Sequence, residues 1–510
     1  MSGMILLVAL LVPLVFAVTL AARPDDARIG RLSRAFAWLY AVLATVAAIA
    51  ALRTPGGLAL AAPVTSLGVS GFEIAPRLFL DGRNALFLLL LGLCPPIVLT
   101  FVKDAQPRSA AVAAWALIFG LAGVFIADSL LLFYFFWEAA LIAVYFWIAL
   151  HGRRNRFGGE VYSALLRFVL FTLAGSLPML ASIAAVCAAN FRDPGLQGLP
   201  AAVSQLSDAA RGWVFFGFLL GFAVKLPLFG FHGWLRDTYN VAPPACRALL
   251  SAAMSKMGAF GLILILAPTF PLEMAHYAPA LMTLAAIGVL YGGVLMLAQD
   301  RLLDALAYSS LSHLSLLALG VFAAAGNANV ATTGFSGATL LVFSHALAMA
   351  LLFALDARVM RDTSSPDRGL LSGLRKVQPR LYAFLLLAVF TSASLPGLAN
   401  FPGEVLVYFT AFKTSYWLVL IAGIGALVGA AALVRLLHQV FLGEPGESEY
   451  GVPAAETAEV VAVDLSGFET VVALAVTALW LLTGLYPMLL LGPVERAFSL
   501  IRAMAMGSAA

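Results

Sequence analysis

The chain is 510 residues long, 62% hydrophobic and only 11% charged, with a mean hydropathy of +0.98, far from the roughly 25% charged fraction of soluble globular domains. That composition excludes a sizeable soluble domain and predicts a polytopic helical membrane protein; the short alternating strands of a membrane β-barrel are not seen. A net charge of +4 does not signal nucleic acid here, because the arginines gather in loops between apolar runs, where they set topology.

Apolar runs against polar breaks predict an all-α integral membrane protein of about 14 transmembrane helices, near 3–21, 32–52, 80–101, 108–126, 128–150, 160–189, 212–231, 241–267, 277–298, 302–324, 331–356, 379–413, 415–440 and 468–492. The first run, "MILLVALLVPLVFAVTLAA", lacks a basic n-region and a small-residue cleavage site, so it is expected to be a retained span. Alternate loops collect Arg23, Arg28, Arg31 and Arg34; Lys103 and Arg108; Arg153, Arg154 and Arg156; and Arg361, Arg368, Arg375 and Lys376. Those loops should face the cytoplasm, leaving both termini on the outer side of a bacterial plasma membrane. The polar stretch "GEPGESEYGVPAAETAEVV" before the last span is expected to be a surface linker.

Two spans are interrupted in comparable ways. Pro227 follows Lys225 in the seventh, and "LPGLANFPGE" places Pro396, Gly397, Pro402 and Gly403 inside the twelfth. Such breaks survive at membrane depth only where protein or a wet cavity surrounds them. They are five spans apart, and an odd offset reverses orientation, so spans 4–8 and 9–13 are expected to form inverted repeats with broken helices 7 and 12. The expected organisation is a three-helix segment over 1–106, a first repeat over 107–268, a second over 269–440, and a linker with the last helix over 441–510.

A charged residue at a helix centre costs roughly 2.5 to 3.5 kcal/mol on insertion scales, so each one retained there is a functional candidate. Glu138 lies in "LLFYFFWEAALIAVYF", Lys225 beside its proline, Lys256 in "LSAAMSKMGAFGLIL", and Glu404 just past the second break; His232, His313 and His345 join them. Singly, each could be a structural ion pair, a snorkelling side chain or a satisfied core histidine. As a set spread over successive spans they have the composition of a proton relay. Burial loosens a lysine's proton and a nearby carboxylate holds it, so a Glu138–Lys225 pair can act as a switch, with histidine bridging through water. The cysteines Cys94, Cys187 and Cys246 stand apart in apolar runs and are expected to be core residues.

These residues also carry a resemblance. "FAVKLPLFGFHGWLRDTYNVAPPACRALLSAAMSKMGAFGLI" (222–263), "WE" at 137–138, "AYSSLSHLSLLALG" (307–320) and "LPGLANFPGE" (395–404) resemble the antiporter-like subunits of respiratory complex I, a family that includes subunits of Mrp-type antiporters and membrane-bound hydrogenases. The resemblance runs over about residues 75–440. Glu404, where other branches carry lysine, and a chain ending at 510 without a further lateral helix imply the M-type branch. It implies a proton-translocating subunit in the membrane arm of an NADH:quinone oxidoreductase, with L-type and N-type neighbours and surrounding lipid. No cofactor is expected in this chain and no nucleic acid, with FMN, iron–sulfur clusters and quinone in the partner subunits. Carried over by motif, Glu138 and Lys225 resemble the family's glutamate–lysine pair, Lys256 the central lysine, His313 and His345 the polar-axis histidines, and Glu404 the terminal residue. The chain departs from the pattern at Arg236, where a proline is usual, at Asp304, where a lysine often stands, and at Pro402, where a small apolar residue is usual. The alternative is an antiporter-like subunit of an assembly other than complex I: a cation/proton antiporter, a membrane-bound hydrogenase or an inorganic-carbon uptake complex.

Overall fold

A computed structural model of the protein describes residues 3–24, 28–61, 65–66, 73–74, 76–102, 107–152, 161–363, 374–441, 463–492 and 495. Lys103, Arg153, Arg154, Arg156, Arg368, the Arg361 side chain and the polar stretch 443–461 lie outside this description. Eleven of the described helices are long and apolar enough to cross a membrane. The other three predicted spans appear as the helix Ala85–Phe101, the helix Asp208–Lys225 that ends at the first break, and the pair Pro379–Ser392 and Asn400–Phe412 on either side of the second. Most ends agree with hydropathy to within a few residues, because the run of apolar side chains that lipid or neighbours must cover is what the chain winds into helix.

Two differences are physical. The third span begins at Ala85 and not at 80, because Arg77–Leu80 is a strand paired antiparallel with Leu58–Ala61; Leu58 opposes Leu80 and Ala61 opposes Arg77. A second short ladder joins Thr65–Ser66 to Glu73–Ile74. The Asn84 amide ends the turn by donating to the carbonyls of Phe79 at 2.8 Å and Phe125 at 2.9 Å. This hairpin, a small β addition to the expected all-helical fold, is tied to the bundle by Arg77, whose Nε lies 3.3 Å from Asp128. Burial raises the Asp128 carboxyl above its ordinary range, while the Gln197 amide and Arg77 act against that shift.

The second difference concerns the breaks, which are built alike. In the first, Leu228 N–H donates to Ala223 O at 3.0 Å, Phe231 N–H to Leu228 O, and Gly230 has φ +85°. In the second, Leu395 N–H donates to Phe390 O at 3.0 Å, Leu398 N–H to Leu395 O, and Gly397 has φ +92°. The same turn with glycine at the same step is what an inverted repeat requires, since only glycine enters this region freely. The seventh helix therefore stops six residues short of its predicted end, and Lys225 is its last residue. Pro402 sits in the first turn of Asn400–Phe412, where its missing N–H costs no helical bond.

From Ser336 to Val359 the helix Ala331–Thr363 is buried at every residue. It is apolar all round, as a helix surrounded by other helices must be. Around it pack the helix Leu302–Gly326, the second half of the twelfth span and the eighth span, so the side chains it carries meet both repeats. The eighth span, Pro244–Thr269, departs from α geometry twice, with π-helical turns at Leu250–Met254 and Gly261–Leu266 on either side of Lys256–Phe260. At Gly258 this segment lies directly against the backbone of Phe222 and Leu226, where a Cβ would stand 2.6 Å from Leu226 N. Cys94, Cys187 and Cys246 are free and buried.

Candidate functional site

Four of the seven candidates form one connected line through the second half of the bundle. Lys256, 1% exposed, directs its Nζ to Ser251 O at 2.8 Å, Ser255 Oγ at 3.1 Å and His345 Nδ1 at 2.7 Å. The π-helical turn before it brings the Ser251 carbonyl, five residues back, within reach of the ammonium. His345, also 1% exposed, has its ring centroid 5.5 Å from that of His313. His313 Nε2 is 3.8 Å from Glu404 Oε1.

His313 has a carbonyl oxygen at each ring nitrogen: Ser309 O lies 2.8 Å from Nδ1 and Ser392 O lies 2.7 Å from Nε2. A carbonyl only accepts, so a ring nitrogen bonded to either one carries its N–H, and the Ser309 hydroxyl, 3.3 Å from Nδ1, offers that nitrogen a second partner. The carboxyl of Glu404 stands beside it. Glu404 and His313 form one wall of a cavity of about 320 Å³ together with Ser392, Ser394 and Tyr408. Val405 and Leu427, both on its lining and both exposed, place its mouth on the flank of the bundle.

Glu138 and Lys225 form a second centre, and they are apart. No ion pair within 4 Å joins them among the described residues; Glu138 Oε1 and Lys225 Nζ each lack a hydrogen-bond partner. Lys225 is 2% exposed, with its Nζ over the rings of Phe168, 5.6 Å from the centroid, and Trp137, at 5.9 Å. Glu138 also lines a lateral groove of about 850 Å³ that runs along the helix from Leu131 to Leu150 with Arg108 and Ser109 at its far end.

His232, expected to help carry protons from Lys225 to Lys256, stands off this line. Its ring packs on Phe229 and Tyr291, with centroids at 5.9 and 5.3 Å, and Nδ1 has no hydrogen-bond partner. No hydrogen bond joins it to either lysine among the described residues. Inspection of charge in sequence also missed Ser251, Ser255, Ser309 and Ser392, whose oxygens hold the charged groups. Only the spacing of Ser309 and His313, four apart on one helical face, was a usable signal. Among the described residues no group of three or more metal-ligating side chains is placed to hold a metal ion.

Comparison with known proteins agrees with this architecture. The sequence profile of the family described as NADH:quinone oxidoreductase/Mrp antiporter, transmembrane, matches residues 127–429. NADH-quinone oxidoreductase subunit M of Pseudomonas aeruginosa is 32% identical over 430 residues, 82% of this chain and 81% of that protein. A chain of respiratory complex I from Thermus thermophilus, solved with bound NADH, superposes with a TM-score of 0.83 at 31% identity, covering 97% of this chain and 99% of that one. A chain of the Mrp complex from Dietzia sp. DQ12-45-1b superposes with a TM-score of 0.80 at 19% identity, covering 97% and 96%, a likeness of fold alone.

Proposed function

The chain belongs to the NADH:quinone oxidoreductase/Mrp antiporter membrane family, and from that premise we propose that it is the M-type proton-translocating subunit in the membrane arm of an NADH:quinone oxidoreductase. The observation that carries this reading is the line Lys256–His345–His313–Glu404, whose three steps are a hydrogen bond of 2.7 Å, a ring contact of 5.5 Å and a nitrogen–oxygen approach of 3.8 Å. Such a line lets a proton that arrives at Lys256 be handed to a carboxylate on the flank of the bundle. Lys225, opposite Glu138, is the loading point: when the carboxylate turns to the lysine the proton is held, and when it turns away the proton is released toward Lys256. The tight packing of Gly258 on the Lys225 break keeps these two lysine-bearing segments together.

The energy comes from partner subunits, where FMN, iron–sulfur clusters and quinone reside. The groove at Glu138 is where a neighbouring L-type or N-type subunit would press a charge against the carboxylate. Moving a proton against 100 mV costs roughly 2.3 kcal/mol, the scale of one buried ion pair made or broken. The orientation that goes with this reading places both termini outside a bacterial plasma membrane, and the organisation remains two inverted repeats over 107–268 and 269–440.

The test is purification through a tag on this chain in mild detergent, followed by reconstitution and measurement of protons moved per NADH oxidised. A wild-type assembly that pumps with NADH and quinone, and Lys256→Ala and Glu404→Gln assemblies that pump at least several-fold less, would uphold the reading. An assembly without NADH oxidation that exchanges sodium for protons would replace it with a cation/proton antiporter.

A further inference from the structure

The Lys225 ammonium is buried with no protein oxygen or nitrogen within hydrogen-bond distance, and two aromatic rings lie beside it. Trp137 and Phe168 are both fully buried, and each presents its ring within 6 Å of Nζ. The face of an aromatic ring is the negative pole of its quadrupole, and a desolvated cation within about 6 Å is held there. The rings are themselves fixed. Phe168 packs on Trp234 at 5.3 Å, Trp234 is pinned by its indole N–H to Val224 O at 3.1 Å, and Trp137 is wedged between Phe133 and Phe222.

Trp137 and Glu138 are consecutive on the helix Leu130–His151, so their side chains point about 100° apart. The ring faces inward to Lys225 while the carboxylate lines the lateral groove. We propose that Trp137 and Phe168 form an aromatic station for Lys225, a second resting place in which the lysine keeps its charge while its carboxylate partner is turned to the groove. Both rings are positioning residues. This rests on the proposed relay and deepens it: opening the ion pair does not by itself discharge the lysine, and release waits on a path to Lys256. The geometry also explains why the ammonium sits at the helix end with nothing else to bind.

The experiment is a graded one in the purified, reconstituted assembly. 4-Fluoro-, 3,5-difluoro- and 3,4,5-trifluorophenylalanine at position 168 drain the ring face of negative charge with little change in size, so a purely structural role would not respond in steps. NADH-driven proton transport should fall stepwise across the series, by about two- to tenfold overall, with Phe168→Trp retaining transport. A flat response across the series would overturn the station, as it would if the lysine rested there uncharged. Lys225→Ala, measured alongside, separates the two failures. Lost transport in Lys225→Ala with a flat fluorine series sinks the station alone, whereas undiminished transport in Lys225→Ala sinks both the station and the relay it serves.

Discussion

Arg236 Nε donates to Asp304 Oδ1 at 2.8 Å, so two residues that look like unrelated departures in the sequence are one ion pair. It joins the short helix after the first break to the start of Leu302–Gly326, and so links the two repeats. Asp304 is 3% exposed and also accepts from Asn240 Nδ2 at 2.7 Å, with Arg301 at 3.6 Å, while Arg236 is 38% exposed.

The unequal burial predicts an unequal response. Arg236→Leu leaves a buried carboxylate short of its closest cation and should cost about 1–3 kcal/mol. Asp304→Leu leaves a guanidinium that can turn to water, and after screening by solvent should cost about 1 kcal/mol or less. The double variant should lie close to Asp304→Leu alone. Thermal unfolding of the detergent-purified assembly measures all three; an Asp304→Leu protein less stable than Arg236→Leu would contradict the assignment of the buried partner.

At the other end of the line, the His313 and Glu404 pair predicts a separation of function from fold. Glu404→Gln keeps the volume and a hydrogen-bonding group, and both His313 nitrogens still have their carbonyl partners. Its stability should change by about 1 kcal/mol or less, while proton transport falls at least several-fold. His313→Leu leaves the Ser309 and Ser392 carbonyls without their ring partner and Glu404 without its neighbour, so it should lose stability by about 3 kcal/mol as well as transport. Equal melting temperatures for the two variants would mean that the ring is not the partner of the carboxylate.

How much of this could be read in the chain depends on what kind of contact is involved. The spans are one-dimensional, set by runs of apolar residues, and hydropathy finds them; the breaks announce themselves through Pro227, Pro396 and Gly397. Glu138, Lys225, Lys256 and Glu404 stand out because a charge in an apolar run is costly. What a charge meets is another matter. Lys256 and His345 are 89 residues apart and touch only because the buried part of the helix Ala331–Thr363 passes the eighth span, and no spacing rule encodes that. The strand Arg77–Leu80 was hidden because "RLFL" is short, although the polar turn 81–84 does part it from the apolar run that begins at Ala85. His232 was counted with the relay as one of a set of titratable residues spread over the spans, yet its ring packs on Phe229 and Tyr291.

The Lys256 cluster gives a third prediction. Ser255→Ala removes one acceptor from the ammonium but leaves Ser251 O and His345 Nδ1, so stability should fall by about 0.5–1.5 kcal/mol with transport largely kept. His345→Leu breaks the line between Lys256 and His313 and should reduce transport at least several-fold. Proton flux in liposomes distinguishes the two, and similar flux from His345→Leu and wild type would remove His345 from the path.

The glycines at the breaks allow backbone strain to be separated from crowding. A Cβ at Gly230 would meet nothing within 4 Å, and at Gly397 only Leu485 Cδ2 at 3.8 Å, so any cost of alanine there comes from φ +85° and φ +92°. That cost is about 1–2 kcal/mol per site, and because the two turns share one hydrogen-bond pattern it should be nearly the same at both. Gly293 is the contrast. Its helix, Pro271–Leu297, crosses Tyr416–Phe441 so closely that a Cβ would run into the backbone carbonyl of Gly425. Backbone cannot rotate out of the way as a side chain can, so Gly293→Ala must push the helices apart, costing about 1–3 kcal/mol or more. Thermal melts of the three variants should rank Gly293→Ala as the least stable, with Gly230→Ala and Gly397→Ala close together above it. A large gap between those last two would mean that the breaks differ in what they carry, and that the second turn does not repeat the first in energy as it does in geometry.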